Sequence, residues 1–248
     1  EMLTHAAAVK SDAWVKSIDE WKKEIPITMS GYEGMTPEKI INKINDLFPD
    51  SIVTTDVGQN QLWTTQYIRM DGKRQFLTSG GLGTMGYGLP AAIGASIGNP
   101  GNPVICISGD GGAQMNIQEL ATAHALETPV ILCIFNNTYL GNVKQMQKMF
   151  YNKRYSSTCL RYSRSCNRQC RIDGTCTGGD YVPDFVKLAE SYGCTGIRVE
   201  NEAQMDEAFK RAAENTKSVT LIEFMLDCEY DVYPMVPGGA ALSDMMFG

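Results

Sequence analysis

Histidine is nearly missing from this chain. His5 and His124 are the only two among 248 residues, and neither has a partner pattern around it. Without such a pattern no Ser/His/Asp arrangement can be argued, since the triad needs an imidazole placed to move the proton. Positive charge is also in short supply. Lys and Arg number 22 against 28 Asp and Glu, a formal net charge of −6, and no stretch concentrates basic residues as a nucleic-acid surface does. No apolar run reaches the roughly 18–20 residues of a membrane span. The opening Glu1-Met2-Leu3-Thr4-His5 is not a signal peptide, and the missing initiator Met raises the expectation of a piece cut from a longer chain. Neither nucleic acid nor a membrane is expected as a partner.

What is present is enough apolar material for a sizeable core, 43% of residues, and eight cysteines. Cys106 and Cys133 fall inside apolar, strand-like runs and read as small core residues. With no sign of secretion, a disulfide framework is not expected and a reducing cytoplasm is the default. Cys159, Cys166, Cys170 and Cys176 fall in an aperiodic stretch together with Arg161, Arg164, Arg168 and Arg171. Their spacing fits no standard zinc or iron–sulfur pattern. The stretch reads as a surface insertion over residues 156–180 with free thiols; a metal or redox role is the alternative.

Strand-like and helix-like segments alternate along the chain. Ser11 as N-cap with Trp14, Ile18 and Trp21 predicts a packing helix over 11–24, followed by a linker with Pro26, Gly31 and Gly34. Thr36-Pro37-Glu38 starts a helix whose apolar face is Ile40, Ile41, Ile44 and Leu47. Strands are expected at 51–55, 75–78, 103–108, 129–135, 196–199 and 219–226. Helices are expected after Asp56 to about Ile68, at Leu89–Ile97, Met115–Leu126, Tyr139–Phe150, Pro183–Tyr192 and Glu202–Ala213. Such alternation predicts an α/β fold: a six-stranded parallel sheet with helices on both faces.

The stretch from Gly109 to Asn137 organises the rest. The run Pro103–Ser108 is short, apolar and β-branched and stops at Gly109-Asp110-Gly111-Gly112, where glycines permit tight turning and close approach of a ligand. The next such run, Pro129–Phe135, stops at Asn136-Asn137. If the two strands are parallel neighbours, Asp110 and Asn137 meet at one rim, at the carboxyl ends where open α/β sheets place their ligand crevice. A carboxylate and an amide oxygen are hard ligands, suited to Mg²⁺ held together with phosphates. The helix expected at Met115–Leu126 would direct its amino end at those phosphates.

A competing motif lies upstream. Gly81-Leu82-Gly83-Thr84-Met85-Gly86 fits G-x-G-x-x-G, with Asp110 at roughly the distance of a ribose-binding acid. An NAD-dependent dehydrogenase is therefore one alternative, and a non-catalytic metal-binding module built on the Cys stretch is another. Against the dehydrogenase, the glycines continue to Gly88, the preceding strand is short, and Asn136-Asn137 is left without a role.

GDG followed by an apolar strand ending in NN resembles the signature of thiamine-diphosphate enzymes. Together with Thr78–Gly94 and the tail Tyr233–Ala240, it makes the chain similar to the C-terminal part of acetohydroxyacid synthase (acetolactate synthase) large catalytic subunits, from about Pro37 onward. The resemblance implies the thiamine-diphosphate-binding fold over 36–248, with 1–35 as the end of a middle domain and linker. It implies Mg²⁺ at the side chains of Asp110 and Asn137 and the backbone oxygen of Tyr139. Cofactor contacts are implied at Val57, Gly58, Gln59, Asn60, Gly83, Thr84, Met85, Gly109, Asp110, Gly111, Gly112, Met115, Asn137, Leu140, Gly141 and Asn142. Among these, Met85 would prop the cofactor bent and Gly83 would offer its carbonyl to the aminopyrimidine. The protein's task would be to grip the diphosphate, hold the cofactor bent and exclude water, the cofactor doing the chemistry on 2-keto acids. The implied substrates are pyruvate and a second 2-keto acid, on the route to valine, leucine and isoleucine. Three positions depart from the family: Asn60 for the usual His, Asn142 for Met, and Met146 for a Trp tied to 2-ketobutyrate acceptance, which puts acceptor preference in doubt. The resemblance also implies FAD bound mostly outside this chain, a homodimer or larger assembly and a small regulatory subunit. The family's catalytic Glu belongs to a partner subunit's N-terminal domain. This chain alone is therefore expected to bind Mg²⁺ and thiamine diphosphate weakly and to turn over nothing. Another thiamine-diphosphate-dependent decarboxylase or carboligase is the nearest alternative.

Overall fold

A computed structural model describes residues 11–161 and 183–247. His5, Cys166, Cys170 and Cys176 lie outside the described residues. The chain divides into two compact units, one of residues 32–232 and one combining 1–31 with 233–248.

The larger unit holds six strands: β1 (Ile52–Thr55), β2 (Gln75–Thr78), β3 (Val104–Gly109), β4 (Val130–Asn136), β5 (Thr195–Val199) and β6 (Thr220–Met225). They form one sheet in the order β2-β1-β3-β4-β6-β5, with every pairing parallel. The continuous apolar runs of β3 and β4 follow from burial on both faces. Cys106 and Leu132 are register partners on one face; Ile107 and Cys133 are partners on the other. The first face packs with Leu89, Ala92 and Ile93 of α4 (Gly88–Gly98), with Leu120 and Ala123 of α6 (Leu120–Ala125), and with Phe185 and Ala189 of α8 (Phe185–Ser191). The opposite face carries an aromatic chain, Phe135–Phe224–Phe209–Phe48, with ring centroids 5.7–6.1 Å apart. Phe209 belongs to α9 (Met205–Glu214), and Phe48 closes α2 (Pro37–Leu47). α3 (Gln59–Tyr67) packs beside α2. Cys106, Cys133 and Cys194 are buried, and Cys159 and Cys228 half-buried. Burial pushes the Cys106 thiol up to about 12 and Cys133 well above its usual range, so both are inert core residues.

Three sequence expectations need correction. The helix over Met115–Leu126 is broken: one turn, α5 (Asp110–Ala113), starts at the acid itself, a 3₁₀ turn spans Ile117–Glu119, and α6 begins only at Leu120. The reason is a tertiary contact. Asn116 Nδ2 donates to Gly86 O at 2.8 Å, pinning the segment to the glycine-rich loop. The next helix, α7, runs Gly141–Phe150, because Thr138 adopts a left-handed φ of 63° and delays its start.

The third correction lies in the smaller unit. α1 (Asp12–Glu24) buries none of its residues, Ser11 makes no side-chain cap, and Trp14 and Trp21 stack edge-to-face on each other at 5.3 Å. A helix over Leu242–Asp244 and a bridge between Met235 and Met246 complete that unit. Among the described residues, no helix is long and apolar enough to cross a membrane.

Candidate cofactor cavity

The strand order reverses direction between β1, whose other neighbour is β2, and β3, which leads on to β4. At this switch point a parallel sheet opens a crevice at its carboxyl edge. A cavity of about 210 Å³ sits there. Its walls are the ends of β1, β3 and β4 and the first turns of α3 and α7.

Asp110 follows β3 directly and is 2% exposed. Its Oδ1 accepts from Gly111 N at 2.7 Å and its Oδ2 from Thr138 N at 2.6 Å. Burial pushes its carboxyl up to about 7, against the lowering effect of those two N–H groups; Glu223 nearby adds to the rise. Asn137, one strand over, has its Oδ1 turned toward Tyr139 N at 3.1 Å and its Nδ2 toward Gln59 Oε1 at 3.3 Å. Gln59 spends both amide hydrogens on Gln145 Oε1 (3.0 Å) and Tyr230 O (3.1 Å). Asn60 Nδ2 ties Asp56 O to Ile107 O, which leaves its Oδ1 facing Gly58 and Gly109.

Glycine makes the floor. A Cβ on Gly111 would lie 2.5 Å from Leu140 Cδ2, and one on Gly112 or Gly141 would overlap Asp56 Oδ1 or Gln59 Oε1. Gly83, at φ 65°, turns the loop that brings Met85 to the cavity. That loop is latched by Asp56, a buried side chain whose carboxylate accepts from Val57 N (2.8 Å), Gly86 N (2.9 and 3.0 Å) and Gly88 N (3.0 Å).

Of the sixteen residues implied as cofactor contacts, the cavity wall holds all but Thr84 and Met115, and it includes Tyr139. Thr84 and Met115 are exposed. Met146 is half-buried, one turn beyond Asn142 on the same face of α7 and outside the wall. Sequence reasoning did not select Trp63, Phe135 and Val143, which line the cavity too. Trp63 is a core residue, 2% exposed, and only its contact with the cavity marks it. The latch Asp56 was equally invisible, because its partners lie thirty residues away.

Whether the wall suits a diphosphate cofactor can be asked of its polar atoms. Trp63 Nε1 and Asn142 Oδ1 are buried with no partner among the described residues, a donor and an acceptor in one cavity. The amino ends of α3 and α7 supply free backbone N–H groups for an anion; the sequence had assigned that part to the broken helix at Met115. Among the described residues, no group of three or more His, Cys, Asp or Glu could hold a metal alone. One carboxylate and one amide oxygen are the donor set of a Mg²⁺ that completes its shell with phosphate and water. The wall fits that pairing. It does not fit the dehydrogenase: the G-x-G-x-x-G loop leaves the edge strand β2, and β1 separates it from the strand that bears Asp110.

Comparison with known proteins agrees. The family described as "Thiamine pyrophosphate enzyme, C-terminal TPP binding domain" matches residues 56–224. A probable acetolactate synthase large subunit of Methanococcus aeolicus is 40% identical over 240 residues, covering 94% of this chain and 37% of that protein. An acetolactate synthase large subunit of Parasynechococcus marenigrum is 37% identical over 98% of this chain and 36% of its own length. The mitochondrial acetolactate synthase catalytic subunit of Saccharomyces cerevisiae is 39% identical over 94% and 32%. The chain thus spans about a third of the length of these relatives. Since the matched segment contains the switch-point cavity, strands β2 to β5 and all of β6 but its last residue, the chain belongs to the thiamine pyrophosphate enzymes as a C-terminal TPP-binding domain.

Proposed function

We propose that the chain is the cofactor-binding portion of an acetolactate synthase large subunit that uses Mg²⁺ and thiamine diphosphate. The full protein would act on pyruvate and a second 2-keto acid in branched-chain amino acid biosynthesis. It would work in the cytoplasm as a homodimer or larger assembly, with FAD bound mostly outside this segment and a small regulatory subunit as partner. The observation that carries the reading is the pair of hard oxygens, Asp110 and Asn137, set beside a glycine floor at the switch point.

When bound, the cofactor supplies decarboxylation of a 2-keto acid and carriage of the remaining unit to an acceptor. The protein's part is positional. Asp110, Asn137 and the carbonyl of Tyr139 would hold the cation, and the amino ends of α3 and α7 the diphosphate. Met85, whose Cε lies 3.6 Å from a Cβ built on Gly111, narrows the cavity above the floor. Asp110 is the one carboxylate among the described residues of the wall, and its two oxygens are committed to backbone N–H groups. On this reading, an acid–base group for the cofactor comes from elsewhere in the full protein, and the chain alone is inactive.

Calorimetry tests the reading. Thiamine diphosphate should bind the protein only with Mg²⁺, and Asp110→Ala should abolish that binding while NAD gives no heat. Binding of NAD, or Mg²⁺-independent binding that survives Asp110→Ala, would overturn it. Acetolactate production by this chain alone would refute the claim of inactivity.

A further inference from the structure

Asn136 is fully buried and is the half of the Asn-Asn pair that the cavity does not use. Its Nδ2 donates to Glu223 Oε1 at 2.7 Å, and its Oδ1 accepts from Thr138 N at 3.0 Å. Glu223 lies in the middle of β6, 1% exposed. Its second oxygen accepts from Arg198 Nε at 2.8 Å, and Arg198 donates onward to Asp184 Oδ1 at 2.9 Å, the residue that caps α8. The Thr138 N–H is shared between Asn136 Oδ1 and Asp110 Oδ2. A continuous polar path thus runs from the surface pair Asp184–Arg198, through Glu223 and Asn136, to the turn that carries Asn137 and Tyr139.

An ion pair between a buried carboxylate and a solvent-exposed guanidinium adds little net stability, so this one invites another explanation. A carboxylate only accepts hydrogen bonds, whereas an amide can face either way. Facing Glu223, the Asn136 amide has one allowed orientation, and that orientation presents an acceptor to Thr138. Thr138 is β-branched and sits at φ 63°, a conformation that costs such a residue free energy and persists only when its surroundings impose it.

We propose that Glu223 is a positioning residue for the cation-binding turn: charge-balanced by Arg198, it fixes the Asn136 amide, which holds Thr138 left-handed so that Asn137 and Asp110 keep their mutual geometry. The proposal rests on the reading of Asp110 and Asn137 as the cation pair only for its effect on Mg²⁺; the effect on the turn stands by itself.

Glu223→Gln places an NH₂ group against either Asn136 or Arg198 with almost no change of shape. On the intact protein, residue-resolved hydrogen exchange should show Thr138 accelerated about tenfold, the scale of one lost hydrogen bond, with the β3 amides unchanged. Calorimetry with Mg²⁺ and thiamine diphosphate should show apparent Mg²⁺ affinity weakened about 10- to 100-fold, as for other groups that orient metal ligands. The double variant Asn136→Asp with Glu223→Gln exchanges donor and acceptor across the contact and should recover most of both losses. An unchanged Thr138 in Glu223→Gln, acceleration spread evenly over the core amides, or a double variant as impaired as the single one would overturn the proposal. If the wild type binds no Mg²⁺ and thiamine diphosphate, the functional reading fails, and the exchange data still decide for or against the positioning role.

Discussion

Asp56 offers the sharpest test of how the glycine-rich loop is held. It is 1% exposed, and among the described residues no cation contacts its carboxylate; backbone N–H groups of Val57, Gly86 and Gly88 satisfy it instead. Two effects oppose each other on substitution by Asn. Removing a buried charge relieves its desolvation cost, which alone makes the variant neutral or stabilising. Replacing one oxygen by NH₂ breaks hydrogen bonds. If Oδ2 is replaced, Gly88 N–H faces a donor; if Oδ1 is replaced, Val57 N–H does; Gly86 keeps an acceptor either way. One buried N–H then loses its partner at a cost of about 1–3 kcal/mol. Because the donors are fixed in the main chain and cannot turn away, the second effect should win. Asp56→Asn is expected to lose about 2 kcal/mol and Asp56→Ala, which strips all three donors, about 3–5 kcal/mol. Urea unfolding, comparing midpoints at constant slope, measures both. An Asn variant as stable as the wild type would refute the reasoning and show that desolvation, not latching, governs the position.

Other expectations are simpler. Gly112→Ala should cost about 2–4 kcal/mol, because its methyl would overlap a carboxylate that cannot move, whereas Gly94→Ala in α4, with open space around its Cβ, should gain about 0.5–1 kcal/mol; thermal unfolding separates them. Asp110 titrates near 7 when folded and near 3.8 when not, so the ligand-free folded state binds more protons between those values. Its stability should rise as pH falls from about 7 to about 4, by at most roughly 4 kcal/mol from this group, and Asp110→Asn should flatten that slope in urea titrations at several pH values. By the same linkage, Mg²⁺ must displace a proton below pH 7, so cofactor affinity measured by calorimetry should weaken there.

Much of this architecture could be read in advance because both faces of the sheet are covered. Runs such as Val104–Ile107 and Val130–Phe135 then have to be apolar throughout, and their abrupt ends at Gly109 and Asn136 mark the rim. The cavity wall was legible for the same reason: Asp110, Asn137 and the glycines stand at strand ends, where sequence position and spatial position coincide. What escaped was whatever depends on distant partners. The break at Met115 comes from Asn116 reaching back to Gly86, a contact that overrides local helix propensity. Asp56 looks like any acid at a strand exit until Gly86 and Gly88 are seen beside it. The apolar stripe of α1 promised packing, yet its two Trp side chains meet each other instead.

The placement of Cys106 and Cys133 on opposite sides of neighbouring strands has a use in following the molecule open. Their side chains cannot meet across the sheet, so oxidation cannot join them while it is intact. Each is covered by a different helical layer, and a thiol reagent reaches one only when its own layer lifts. The pair is a built-in two-channel clock: equal labelling rates mean that the molecule comes apart in one event, and unequal rates say which side of the sheet lets go first.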